Sequence, residues 1–210
     1  SDTRDNVTFN IPIQYVQKIV FDDGCELVYN DVVDVSGDRR KAIKLGFLSP
    51  AWDVTTLYYE RGVKPGQSLE VGIGVIGLGI EEIHENASGI VLRAGYKFMT
   101  RPEHYQNKYR YAHLLKGSYI KPELTFVHYT ADGDRWDGGS GYGWDDVKTT
   151  ILNLAVVGGK QWVYHNSLLL DIYAGLGINL GDTDNYYTFH YAFTGDTVTL
   201  TGGIKIGFLF

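Results

Sequence analysis

Nine ionisable residues stand at alternate positions in stretches that are otherwise apolar or glycine-rich: Lys44, Glu60, Glu70, Arg93, Lys97, Lys121, Glu123, Asp171 and Lys205. Five are cationic and four anionic, so they nearly balance. Groups of both signs held in one confined space have two uses. They pair into a network that satisfies buried charge, or they line a wet path that conducts ions or passes protons. The width of the space decides between them, and a narrow enclosure favours the paired plug.

A second group is the run Asp132-Gly133-Asp134-Arg135-Trp136-Asp137, followed by Asp145 and Asp146. Calcium takes about six to eight oxygen ligands on a flexible turn, which makes Asp132, Asp134 and Asp137 a weak cation candidate. The twelve-residue ligand order with a closing Glu is missing, so a solvated loop without metal is the expectation. Residues 182–196 carry Tyr186, Tyr187, Phe189, Tyr191 and Phe193. Rings at that density suit contact with sugar or protein, or extend an apolar girdle. The six histidines are scattered. His128 lies near Thr130 and His165 near Ser167, but no spacing supplies a nucleophile, its base and an orienting third group. No enzyme is expected, and no cofactor: the Gly72-Ile73-Gly74-Val75-Ile76-Gly77 run matches a dinucleotide fingerprint only formally, with no βαβ context around it.

Composition narrows the classes further. The excess of 25 Asp and Glu over 19 Lys and Arg argues against nucleic acid and against a polybasic membrane patch. With 26 glycines and 16 tyrosines, the chain is built for strands rather than helices. No window reaches the roughly 18 consecutive apolar residues of a membrane-crossing helix, leaving a soluble protein or a membrane barrel. Residues 1–6 are polar and charged, unlike a signal peptide. Cys25 is alone and is expected to be a small packing residue.

The elements that must position the nine charges are strands. Period-two alternation recurs over 41–49, 54–61, 68–76, 90–98, 119–129, 150–161, 168–179 and 198–210, the pattern of an eight-stranded antiparallel barrel. One face carries Ile43, Leu45, Leu57, Leu69, Val71, Leu92, Leu124, Leu154, Leu176, Ile206, Phe208 and Phe210 and no charge. The other carries the nine charges with Gly46, Gly72, Gly74, Gly95, Gly175, Gly177, Gly203 and Gly207. A soluble barrel turns its charged face outward. Glycine has little use on a solvated strand but allows close packing in a narrow bore, so the greasy face is expected to meet lipid. Trp52, Tyr58, Tyr59, Tyr96, Tyr129, Trp162 and Tyr164 fall near segment ends, where interfacial girdles sit.

Residues 1–40 differ in texture. Short runs around Asp22-Asp23-Gly24 read as a β extension, leaving 41–210 for the barrel. With both barrel termini on the periplasmic side, the outer loops are 50–53, 77–89, 130–149 and 181–197, and the inner ones 62–67, 100–118 and 163–167.

Three stretches, Lys44-Leu45-Gly46-Phe47-Leu48-Ser49-Pro50, Leu57-Tyr58-Tyr59-Glu60-Arg61-Gly62 and Gly117-Ser118-Tyr119-Ile120-Lys121-Pro122-Glu123-Leu124, resemble the small outer-membrane barrels of Bacteroidota grouped as proteins of unknown function. In architecture these are similar to the OmpA, OmpX and OmpW types. The Val16-Gln17-Lys18-Ile19-Val20-Phe21-Asp22-Asp23-Gly24 segment looks like a periplasmic element of that phylum. The resemblance implies an outer-membrane location, lipid and other envelope proteins as partners, and no assigned reaction. The strand ending on Phe208 and Phe210 resembles the signal read by the barrel-assembly machinery. The expectation is a non-enzymatic barrel with a charge-plugged lumen, an accessory subunit of a larger assembly; a surface-binding protein or a narrow channel is the alternative.

Overall fold

The computed structural model describes residues 18–28, 35–79, 87–102, 104, 112–135, 143–181, 191–194 and 198–210. The chain divides into two units, Ser1–Ser36 and Gly37–Phe210. In the first, β1 (Lys18–Val20) and β2 (Glu26–Val28) pair antiparallel. Their turn is closed by the Phe21 amide donating to the Cys25 carbonyl, with Gly24 at a φ of 85°. Cys25 is exposed there, not packed as expected. Three-residue strands offer no second layer to bury a side chain against.

The second unit is a closed antiparallel barrel of eight strands, the fold expected from the alternation. They are β3 (Lys41–Gly46), β4 (Val54–Lys64), β5 (Gln67–Ile76), β6 (Ser88–Met99), β7 (Gly117–Arg135), β8 (Gly143–Tyr164), β9 (Leu168–Gly181) and, after a short β10 (Tyr191–Thr194), β11 (Val198–Leu209). Each pairs with its neighbour, and β11 pairs with both β9 and β3 to complete the circle. Closure removes the two end edges that an open sheet would have. The rim that holds Lys41 and Leu209 is called near, the opposite one far.

Connections are tighter than the alternation suggested. β4 and β5 extend to a two-residue turn at Pro65 and Gly66, where a φ of 79° suits glycine. β7 and β8 run well past the expected ends, in register to Arg135↔Gly143, so most of 130–149 is hairpin rather than loop. Part of 181–197 is strand as well, since β10 pairs with β11 at Tyr191↔Thr201 and Thr194↔Thr199.

Parity sorts the side chains. Ile43, Leu45, Leu57, Leu69, Ile73, Leu92, Leu124, Leu154, Leu176, Ile206 and Phe208 are exposed around the outside, and the alternate positions are buried. An exterior like this is unstable in water and stable against hydrocarbon. Tyr59, Tyr96, Phe98, Trp162, Tyr164 and Phe210 share the outer face toward the near rim, the Tyr59 and Phe210 rings 6.4 Å apart. Tyr58 and Tyr129, expected in that girdle, are instead fully buried inside. They have the parity of Glu60 and Glu123, which overrides their closeness to strand ends.

Candidate functional site: the charged lumen

The interior is layered. Toward the far rim Val54, Ile76, Val91, Val127, Tyr129 and Ile151 form an apolar cluster. Toward the near rim a second one combines Ala42, Leu115, Val163, Leu169 and Leu209. Between them lie all nine predicted charges, none more than 5% exposed. Glycines make the room: a Cβ on Gly72 would lie 2.7 Å from the Tyr58 ring, and one on Gly95 would lie 2.8 Å from Lys121 Cδ.

The strand register sets a problem and its answer. Glu60 and Glu70 face each other directly across β4 and β5, a repulsive arrangement when unscreened. Lys44 Nζ donates to both, at 2.6 Å to Glu60 Oε2. Lys97 Nζ reaches Glu70 Oε2 at 3.1 Å and Glu60 Oε2 at 3.3 Å. Glu70 also accepts on Oε1 from Lys121 at 2.8 Å and Lys205 at 2.7 Å, which makes it the hub of four lysines. Asp171 takes Lys97 at 2.9 Å and Lys44 at 3.3 Å. Glu123 joins Lys121 to Arg93, whose Nη1 is 3.0 Å away.

Neutral groups finish the network. Ser68 Oγ donates to Glu60 at 2.5 Å, Tyr119 Oη to Asp171 at 2.7 Å, and Lys97 Nζ to Gln161 Oε1 at 2.7 Å. The Tyr58 and Tyr173 rings face Lys205 Nζ at 4.0 and 4.4 Å, and the Tyr119 ring faces Lys97 at 4.3 Å, close enough for cation–π attraction. Alternation sets Tyr58, Gln161 and Tyr173 on the charged face, and Ser68 and Tyr119 share that parity, but none of the five was expected as a partner of the charges.

The near-rim seal was not foreseen at all. His113, Leu114 and Leu115, within the β6–β7 connection, are buried in the mouth. Gln161 Nε2 donates to the Leu115 carbonyl at 2.7 Å, tying the seal to the network. Asp38 accepts from the Leu114 amide at 2.7 Å, and Asn166 bridges the Arg39 amide and the Gly37 carbonyl. Asn166 and His165 end the β8–β9 turn at φ of 53° and 50°. His113 Nδ1 accepts from the Leu115 amide at 3.0 Å, so the proton sits on Nε2 and is donated to Asn166 Oδ1 at 2.9 Å.

Burial holds the His113 imidazole below its ordinary range, Lys116 pushing the same way and the Asn166 bond and the Asp38 carboxylate at 3.9 Å opposing. The neutral ring is therefore the folded form. As pH falls through about 6.5 the open state takes up a proton before the closed state does, so the seal loses stability toward acid and keeps it fully above that range. Amide exchange at Leu114 and Leu115, corrected for intrinsic rates, is expected to accelerate from pH 7.5 to 5 (about two and a half decades in acidity spanning that value). In His113→Gln the corrected rates should not follow pH; an unchanged pH response there would assign it to another group.

The remaining candidates do not converge on this site. Asp132 and Asp134 lie on β7 opposite Asp146 and Trp144, while Asp137 lies outside the described residues. Tyr191 and Phe193 lie on β10; Tyr186, Tyr187 and Phe189 are outside the described residues. His128 is outward-facing and its Nδ1 is 2.8 Å from Thr150 Oγ1, while Ser167 accepts from Arg39.

No family model matches the chain, and no curated protein matches it significantly. Among solved structures it is similar to the crystal structure of the N-terminal beta-barrel domain of Pseudomonas aeruginosa OprF. The TM-score is 0.45 and the identity 11%, over 82% of this chain and 98% of that one. The barrel assignment rests on the strand register itself.

Proposed function

We propose that this chain is a non-enzymatic outer-membrane β-barrel, closed to solutes, that serves as a structural or accessory subunit of a larger envelope assembly. The observation that carries the closed lumen is the density of the middle layer: nine buried charges, joined by ion pairs, fill the bore between an apolar cluster on the β4–β8 side of the far rim and another at the near rim. A lumen of this kind stiffens the wall and leaves the outer surface and the extramembrane segments to do the work. On this reading the near rim and residues 1–40 are periplasmic, and Phe208 and Phe210, outward on the last strand, are presented to the assembly machinery.

In planar bilayers the reconstituted barrel is expected to give no discrete conductance steps. A stable unitary current would sink the closed-lumen reading and favour the narrow channel. Crosslinking through residues 1–40 and the far-rim hairpin, in gently solubilised membranes, should recover a protein partner; a lone monomer would sink the subunit reading.

A second reading has its own observation. Among the described residues, β7 beyond Thr130 and β8 before Ile151 pair only with each other, so the hairpin outreaches its neighbours and offers two strand edges. Such edges recruit partner strands. If the chain is a surface-binding protein, removing 131–147 abolishes binding and leaves the barrel folded.

A further inference from the structure

Among the described residues, the wall is incomplete where β3 stops. β3 pairs with β11 only from Ala42↔Leu209 to Gly46↔Lys205, and the last backbone bond between them runs from the Phe47 amide to the Ile204 carbonyl. The chain then leaves the sheet as a single turn of 3-10 helix, Ser49–Trp52. β10 takes up pairing with β11 again only at Tyr191↔Thr201. Between these points lies an opening of about 250 Å³ lined by Leu48, Ser49, Trp52, Tyr173, Gly202 and Gly203, with Ile204 at its edge.

Tyr173 is the informative member. Its parity is that of Asp171 and Gly175, so it belongs to the lumen, where its ring lies 4.4 Å from Lys205 Nζ. It is nonetheless 8% exposed, and it lines this opening. The two glycines differ in meaning. A Cβ on Gly203 would stand 3.0 Å from Tyr173 Oη and 3.2 Å from its Cε1, so packing accounts for that glycine. A Cβ on Gly202 would project outward at the opening, with the Tyr173 carbonyl oxygen 3.3 Å away and Ala174 Cβ at 3.9 Å, so Gly202 relieves one tight backbone contact and also keeps the opening clear. Across β9 and β8 its neighbours in register are Ala174 and Gly158, a low floor leading to the same place.

We infer that this window is a lateral binding pocket for one acyl chain of the surrounding membrane lipid, which passes Gly202 and reaches the Tyr173 ring; the inference rests on the membrane reading above. The occupant follows from the surroundings. The window opens within the apolar exterior, flanked by Ile172, Leu176 and Ile206. Only hydrocarbon is abundant there. The volume is below the roughly 300 Å³ at which pockets for compact organic ligands begin, yet a flexible alkyl chain fits a slot of that size.

The test uses the full chain in phosphatidylcholine vesicles doped with a phosphatidylcholine that carries a photoreactive diazirine at the end of one acyl chain, with labelled residues mapped by mass spectrometry. Tyr173 is expected to be labelled, although its side chain faces inward, while Thr125, deep in the lumen, stays unlabelled. Gly202→Leu should remove the Tyr173 label and leave Ile172 and Leu176 labelled; Leu48→Trp, filling the slot from the opposite side, should do the same and serves if the first variant does not fold. Labelled Ile172 and Leu176 with an unlabelled Tyr173 would overturn the pocket alone. A Tyr173 label that survives both substitutions would also overturn it, because the chain would then enter elsewhere. Absence of label at Ile172 and Leu176 would overturn the membrane reading and the pocket with it.

Discussion

Glu70→Gln is expected to lower the stability of the barrel by about 3–5 kcal/mol, the usual cost of removing one partner from a buried ion pair. The substitution keeps the shape of the side chain and deletes the one carboxylate that four lysines share. Its cost is left on the lysines, which are buried in the lumen and have no direct access to water. Urea unfolding in vesicles reads the loss as a shift in midpoint. The double variant Glu70→Gln with Lys205→Met removes a cation along with the anion, and should recover part of the loss because interacting sites are not additive. If Glu70→Gln unfolds at the wild-type midpoint, the network contributes little and the lumen would have to be wetter than its layering indicates.

Leu154→Arg should cost about 2–4 kcal/mol in a bilayer, the range for a cation on the lipid face near mid-depth. Leu154, on β8, is 45% exposed and stands in register with Leu124 of β7 and Ile178 of β9, well inside the apolar exterior. Thr150→Arg, on the same face and strand but beyond Leu152, should cost only about 0–1 kcal/mol. The gradient is the signature. A soluble barrel with Leu154 in water would accept arginine at both positions with little change, and equal, small effects would end the membrane reading.

The strands were legible because one physical rule controlled them. Where one face is apolar and exposed and the other lines a crowded bore, parity is imposed residue by residue, as at Leu69, Val71 and Ile73 against Glu70, Gly72 and Gly74. Where that pressure stops, the signal stops. Residues 131–135 and 143–149 form paired strand without an apolar row, so a hydrophobic pattern ends them too early. Tyr58 and Tyr129 were misplaced because position along a strand was weighed above parity. His113, Leu114 and Leu115 carry no local mark of burial: what buries them is a rim assembled from residues as distant as Gly37, Arg39 and Asn166, and a contact of that kind has no sequence period. The nine charges could be named individually, but not the sharing of Glu70, which depends on bore geometry.

The shortness of β3 also bears on how the barrel is made. Every other neighbouring pair in the circle joins strands close in sequence, whereas β3 must find β11 across nearly the whole unit, from Ala42 to Leu209. Joining distant segments carries the largest loop-closure entropy, so this contact is formed last. Five register pairs reward that step, against eleven between β9 and β11. The nascent molecule is therefore a curled ribbon with two bare margins, β3 and β11, and in the finished one β3, held by five register pairs on each side, is the strand most easily released.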